Sequence, residues 1–402
     1  MDRGYLATFF TKVAIKKLQR VDVPGRFSKQ HEFGMVTKLR EILGTEKKTL
    51  DASFIYIMDD DEPVCDTGTL TWYDARAGKA GRSAEYRLYY TDNAAIQLAD
   101  VDDLLIIAHR TDGSFMVIVA ENGSTAEQQL LWLFNASDDQ LLTFSVKGDI
   151  ESNHLKFEFL IDHILRMVGI ESSLSDDTYL DEMLRRFGRH APSPSSFSAF
   201  ARETLDRTDL QTDADTALMT WMQREEVLFR TLQNHLLCDD LRDSRSNAGT
   251  NGMADLATSI FESRKSWFAS ALDNHIEHLL HVAGLSFSRF PPPADLWPRG
   301  LVFPSEQVPS FKPDKATMLA IRPTGRDWSD VMDVEESARR RYLLTLEPGV
   351  AISQTDIMQR QGLSLVVPKM LHSSYRPVQT KILIGVEEFV GLVRQRESPP
   401  RD

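Results

Sequence analysis

Between residues 53 and 120 five apolar, β-branched or aromatic stretches follow one another: Ser53–Met58, Thr69–Tyr73, Glu85–Tyr90, Leu104–Ala108 and Phe115–Ala120. Each is strand-length, and turn-forming residues separate them. A run of short strands leaves unpaired edges unless it curls on itself, so this part of the chain is expected to form a barrel or sandwich. Ser124-Thr-Ala-Glu127 follows, a hydroxyl with a carboxylate three residues on, which opens a helix through Leu130, Leu131 and Phe134. Ahead of the strands, Leu6, Phe9, Phe10, Val13, Ala14 and Leu18 recur at helical spacing and predict a helix over residues 4–18.

The pattern then changes. Residues 155–240 are helical and charged, interrupted by Ala191-Pro-Ser-Pro-Ser-Ser196, which reads as turn or linker, and Arg242–Gly252 has boundary composition. Beyond it helices and strands alternate. A long helix from about Met253 to Val282 precedes strands at Leu301–Phe303 and Thr317–Arg322. A helix from Trp328 to Arg340, a strand at Tyr342–Leu346, a helix near Gln354–Gln361, a strand at Leu363–Val367 and a last helix from about Ile382 to Arg396 complete the order. Such alternation predicts an α/β layer fold. At 402 residues the chain exceeds the usual size of one core. The expected division is residues 1–150, a helical connector over 151–250, and residues 251–402.

Charge is unevenly spread. The net charge is −13, which argues against a uniformly basic nucleic-acid binder, yet residues 251–402 hold 18 basic and 18 acidic side chains, and residues 1–50 hold 11 basic against 5 acidic. Local basic faces are therefore available. Cys65 and Cys238 are far apart and lack metal-ligand spacing, so both read as reduced thiols. No apolar run reaches membrane-spanning length and the N-terminus has no signal-peptide pattern, so a cytoplasmic protein is expected, without membrane contact. His275, His278 and His281 recur at spacings of three on the long helix, which does not match a zinc site, and read as core or interface histidines.

The C-terminal stretches Ser263-Arg-Lys, Asp273-Asn-His-Ile-Glu277, Leu301-Val-Phe-Pro-Ser305, Met318-Leu-Ala-Ile-Arg322, Leu343-Leu-Thr-Leu-Glu-Pro-Gly349 and Gly362-Leu-Ser-Leu-Val-Val-Pro368 resemble, in order and spacing, the catalytic domain of the EcoRII-type restriction endonucleases. Ile15-Lys-Lys-Leu18, His31-Glu-Phe-Gly34, Glu85-Tyr-Arg-Leu88 and Asp103-Leu-Leu-Ile-Ile107 are similar to that family's N-terminal domain. The resemblance implies a multidomain α+β and α/β chain: an N-terminal β pseudobarrel with helices that binds DNA, a helical linker, and a C-terminal restriction-endonuclease-like domain of the PD-(D/E)xK type. It also implies a homodimer, double-stranded DNA as partner, and a place in restriction-modification or phage defence.

That chemistry needs carboxylates to hold Mg²⁺ and a lysine beside the metal. The resemblance places the key aspartate at Gly300 and the two lysines at Arg322 and Arg326. Arginine keeps the charge but cannot accept a proton. Asp273, Glu277 and Glu335 match positions where the family places acids, and Glu277 with Asp295 is the candidate metal pair; Asp295 or Asp314 is a candidate for a relocated carboxylate. In the N-terminal part His31, Arg76, Lys79, Arg82 and Arg87, with Trp72 and Tyr73 among them, suit a surface touching bases and phosphates. Three functions follow: specific DNA binding with a degenerate catalytic motif, an active Mg²⁺-dependent endonuclease, or a protein-binding scaffold in a defence complex.

Overall fold

A computed structural model describes residues 5–23, 31–59, 61–78, 81–137, 141–148, 157–170, 176–188, 192–205, 213–243, 250–290, 300–309, 312, 315–325, 328 and 340–397. The chain divides into two compact units. One comprises Met1–Glu171 with Pro348–Ala351, the other Ser172–Glu347 with Ile352–Asp402.

In the first unit, strands β1 (Phe10–Lys17), β2 (Glu32–Phe33), β3 (Lys48–Ile57), β4 (Val64–Asp74), β5 (Tyr86–Tyr90), β6 (Leu104–Arg110), β7 (Phe115–Ala120) and β8 (Ser145–Lys147) form one sheet in the order β2-β5-β4-β3-β7-β6-β1-β8. All neighbours are antiparallel except β3 and β7. Short helices α1 (Arg40–Leu43) and α2 (Ala94–Gln97) and the longer α3 (Thr125–Leu133) and α4 (Glu158–Met167) accompany it. Alternate residues explain the curl. Leu105, Ile107, Val117 and Val119 enter one core with Phe33 from one sheet edge and Phe144 from beside the other, so the two edges close around common contents. Their neighbours Leu104, Ile106, Ile118 and Ala120 face the opposite way, into a second core roofed by Leu130 of α3 and Ile161 and Ile164 of α4. The expected barrel-like sheet is therefore present, with both faces of β6 and β7 buried. Ser124 Oγ accepts from Glu127 N at 3.1 Å, capping α3 where the sequence predicts it.

One expected helix is a strand. A 3-10 turn spans Tyr5–Thr8, and Phe10–Lys17 is β1. Val13 and Ile15 face the helix-covered core while Ala14 faces the other. A strand buried on both faces loses its alternation, and the resulting apolar run imitates helical spacing.

The second unit joins helices α5 (Leu180–Phe187), α6 (Pro194–Glu203), α7 (Ala214–Asp243) and α8 (Thr250–Val282) to a six-stranded sheet. The Pro-Ser stretch expected as linker instead starts α6: Ser193 caps it and Pro194 occupies its first turn, where a missing N–H costs nothing. The helices share a core of Met183, Phe197, Phe200, Phe229 and Trp267, the last two stacked at 4.2 Å. The sheet runs β14-β13-β12-β11-β10-β9, from β9 (Ser288–Phe290), β10 (Gly300–Phe303), β11 (Thr317–Ile321), β12 (Arg340–Leu344), β13 (Leu363–Val366) and β14 (Leu383–Ile384). β9 to β11 are antiparallel and β11 to β14 parallel. Helices α9 (Ile352–Arg360) and α10 (Val386–Glu397) complete it. The helix expected over Trp328–Arg340 falls almost wholly outside the described residues; Arg340 begins β12.

Candidate nucleic-acid interface

In the first unit, β2 pairs with β5 (Glu32 opposite Tyr89) and β5 with β4 (Arg87 opposite Tyr73), so His31, Glu32, Tyr73, Asp74, Arg76, Glu85 and Arg87 meet at one sheet edge. Their side chains form a line of alternating charge. Tyr73 donates to Glu32 Oε1 at 2.8 Å, and Arg87 spans Glu32 at 3.3 Å and Glu85 at 3.0 Å. Arg76 meets the other Glu85 oxygen at 2.6 Å. Burial, then the Glu32 carboxylate, pushes the Tyr73 phenol upward. The Arg87 and Arg76 cations hold Glu85 below the usual carboxylate range. Asp74 Oδ1 accepts from Arg76 N at 2.9 Å and Glu85 N at 2.8 Å, closing the base of the loop between β4 and β5.

Of the residues expected to touch DNA, Arg76 and Arg87 are thus brought together on Glu85, His31 lies at the same sheet edge with its ring against Tyr89 and Tyr90, Arg82 is exposed on the same loop, and Lys79 lies outside the described residues. Arg76 and Arg87 face two carboxylates, Glu85 and Glu32, so these four side chains together carry no net charge. The sequence reading assigned no role to the cations of residues 38–48. Arg40 lies 5.4 Å above the Tyr86 ring, which stacks on Trp72 at 4.9 Å, and Lys38, Lys47 and Lys48 are exposed nearby in sequence. The local excess of positive charge in residues 1–50 was the only signal of them.

In the second unit, Gly300 heads β10 opposite Ala320 of β11. A side chain there would place its Cβ 3.1 Å from the Leu319 carbonyl oxygen, tighter than an ordinary contact. The position therefore carries no carboxylate and offers little room for one. Arg322 follows β11, its backbone N–H on Leu344 O at 2.9 Å and its guanidinium 5.2 Å over the Trp328 ring. Gly325 lets that guanidinium lie close, since a Cβ at 325 would be 2.7 Å from Arg322 Nε. Gly325 N in turn donates to Oε2 of Glu347, a fully buried carboxylate just past β12, at 2.7 Å. Glu347, Gly325 and Trp328 had no assigned role in the sequence reading.

The acids of α8 are engaged otherwise. Arg289 of β9 binds Glu277 through Nε at 2.7 Å and a terminal nitrogen at 2.8 Å, and Asp273 adds to the field that raises the Arg289 pKa. Asp295, Asp314, Arg326 and Glu335 lie outside the described residues. Among the described residues no three His, Cys, Asp or Glu side chains converge as a metal ion requires, so the donors described do not fit a divalent cation. His275 is fully buried against Glu225 and Arg202, while His278 and His281 are exposed.

Residues 229–390 match the family model described as EcoRII C terminal. The type II restriction enzyme EcoRII of Escherichia coli is 24% identical over 277 residues, 67% of this chain and 66% of the relative's own length. Two solved structures are also similar, metal-depleted Ecl18kI in complex with uncleaved DNA and with uncleaved, modified DNA. Each has a TM-score of 0.40 and 14% identity and covers 56% of this chain and 86% of the other. Among the described residues no helix is long and apolar enough to cross a membrane.

Proposed function

We propose that this chain, whose residues 229–390 carry the EcoRII C-terminal family domain, is a sequence-specific double-stranded DNA-binding protein with a degenerate nuclease centre. The observation that carries the reading is the charged edge of the first unit. Guanidinium groups in a fixed plane suit guanine O6 and N7, and carboxylates accept from the cytosine amino group, so the Glu32–Arg87–Glu85–Arg76 line presents the groups that read base edges. Exposed Arg82, Lys47 and Lys48 supply cations for phosphates, which position without specifying. The resemblance to restriction enzymes agrees, and we extend the proposal to a cytoplasmic homodimer with a protein partner in a defence system.

Titration of a mixed-sequence duplex at two salt concentrations tests this. Affinity is expected to fall steeply with salt despite the net charge of −13, because counterion release depends on the phosphates contacted. Absence of binding at low salt would end the DNA reading and leave a protein-binding scaffold.

A further inference from the structure

We infer that the buried pair Lys16–Asp22 is a positioning device for DNA recognition: it fixes residues 31–34 and thereby sets the Glu32 carboxylate on which Tyr73 and Arg87 converge. The inference rests on the DNA-binding reading above. β2 is two residues long and lies at the sheet edge, and so short a strand has little pairing of its own to hold it. Beyond Phe33, the next residue is held by side chains in place of a neighbouring strand. Gly34 N donates to Asp22 Oδ1 at 2.6 Å, and Gly34 O accepts from Lys16 Nζ at 3.0 Å.

The ion pair is itself fully enclosed. Lys16 Nζ meets Asp22 Oδ2 at 2.7 Å with both side chains at 0% exposure, and Gln19 N donates to the same oxygen at 2.7 Å. The Asp22 carbonyl accepts from the Tyr90 hydroxyl at 3.0 Å, while Tyr90 N donates to His31 O at 2.8 Å. Both ends of the His31–Gly34 segment are thus referred to one fixed point in the barrel. Gly34 fits closely there, since a Cβ would stand 3.0 Å from Val21 Cγ2.

Stability alone is a poor account of such a pair. Charges removed from water repay their desolvation only with good geometry, and apolar groups of the same volume often serve the fold as well. What apolar groups could not do is bind both polar atoms of Gly34 and so hold the backbone at one register. A one-residue slip of β2 would turn Glu32 away from Arg87 and Tyr73.

The test compares the full-length protein with the charge-neutral double variant Lys16→Met, Asp22→Asn. Wild type is first used to select a preferred duplex from a randomised pool. Affinity for that duplex and for a scrambled one is then measured in both proteins, alongside thermal melting and exchange of the Gly34 amide proton. The expected result is a variant that melts cooperatively, exchanges Gly34 rapidly and still binds the scrambled duplex, but loses about tenfold or more of its preference, the scale of one misread base pair. An unchanged preference in the folded variant overturns the inference. If the double variant does not fold, Gly34→Ala, which keeps both charges, is measured in its place: reduced preference supports the inference, and wild-type preference overturns it. Failure of wild type to bind any duplex would refute the DNA reading itself, an outcome visible before either variant is made.

Discussion

Arg322 changes what the end of β11 can do. A guanidinium only donates and cannot take a proton from water, and a glycine has no side chain to ligate a metal, so under the proposed reading Arg322 and Gly300 leave two elements of metal-assisted hydrolysis missing. Plasmid DNA with Mg²⁺ or Mn²⁺ is therefore expected to stay uncut. The double variant Gly300→Asp, Arg322→Lys is expected to nick slowly and only with metal. Its melting temperature should fall, since the new Cβ presses on Leu319 O at 3.1 Å and the strand must shift by a few tenths of an ångström. Cleavage by the unmodified protein at a defined site, abolished by Asp295→Ala or Asp314→Ala, would replace the degenerate centre with an enzyme whose carboxylate has moved. Gly300 and Arg322 were singled out in the sequence by the resemblance to the endonuclease family, which places an aspartate and a lysine there. Glu347 and Asp22 were not, since a carboxylate that binds the backbone N–H of a distant segment leaves no spacing to read.

At the scale of elements, the last helix depends on the first turn of another. Asp215, 1% exposed near the start of α7, accepts from Val386 N at 2.8 Å, Glu387 N at 3.0 Å and Lys369 N at 2.9 Å. It thus serves α10 as an N-cap supplied from elsewhere in the second unit, and its negative charge faces the positive end of the helix dipole. Asp215→Ala leaves three backbone donors unmet, that of Val386 buried and the other two partly buried, and is expected to cost about 3 kcal/mol, with Asp215→Asn intermediate, read from denaturant or thermal unfolding. A loss under about 1 kcal/mol would show that water or a shifted backbone satisfies those donors. Most element types were legible, β7 to the residue, because their apolar pattern matches the burial they receive. β1 was not, because cores on both of its faces erase the alternation a strand normally shows. Nor was the start of α6, where proline and serine serve a helix terminus as readily as a linker.

Across the whole molecule, buried titratable groups should bound stability on both sides of neutrality. His275 is enclosed, and Arg202, which can only donate, stands 2.8 Å from its Nδ1. Nδ1 therefore accepts and the ring proton sits on Nε2, 2.8 Å from Glu225 Oε2. Burial lowers the His275 pKa, opposed by Glu225, so the unfolded chain binds a proton that the folded ring rejects. Stability must then decline as pH falls below about 6.5, by up to about 1.4 kcal/mol per pH unit. At the alkaline end burial raises the phenols of Tyr56, Tyr90 and Tyr375, with Asp103, Asp22 and Glu347 respectively adding to the shift. Their contribution is complete below about pH 10 and is lost as the unfolded phenols ionise, about 1.4 kcal/mol per unit for each. Lys16 acts in the opposite sense: burial lowers its pKa, so its contribution grows as pH rises and is complete once the unfolded lysine has titrated near 10.4. It cannot offset the tyrosines above that point. Melting temperature is therefore expected to fall below about pH 6.5 and above about pH 10, with Lys16 contributing any rise between them. His275→Gln should flatten the acid limb. On the alkaline limb part of the phenolate absorbance should appear only together with loss of circular dichroism. If all nine tyrosines titrate smoothly near pH 10 while the chain stays folded, the three buried phenols are not enclosed as described.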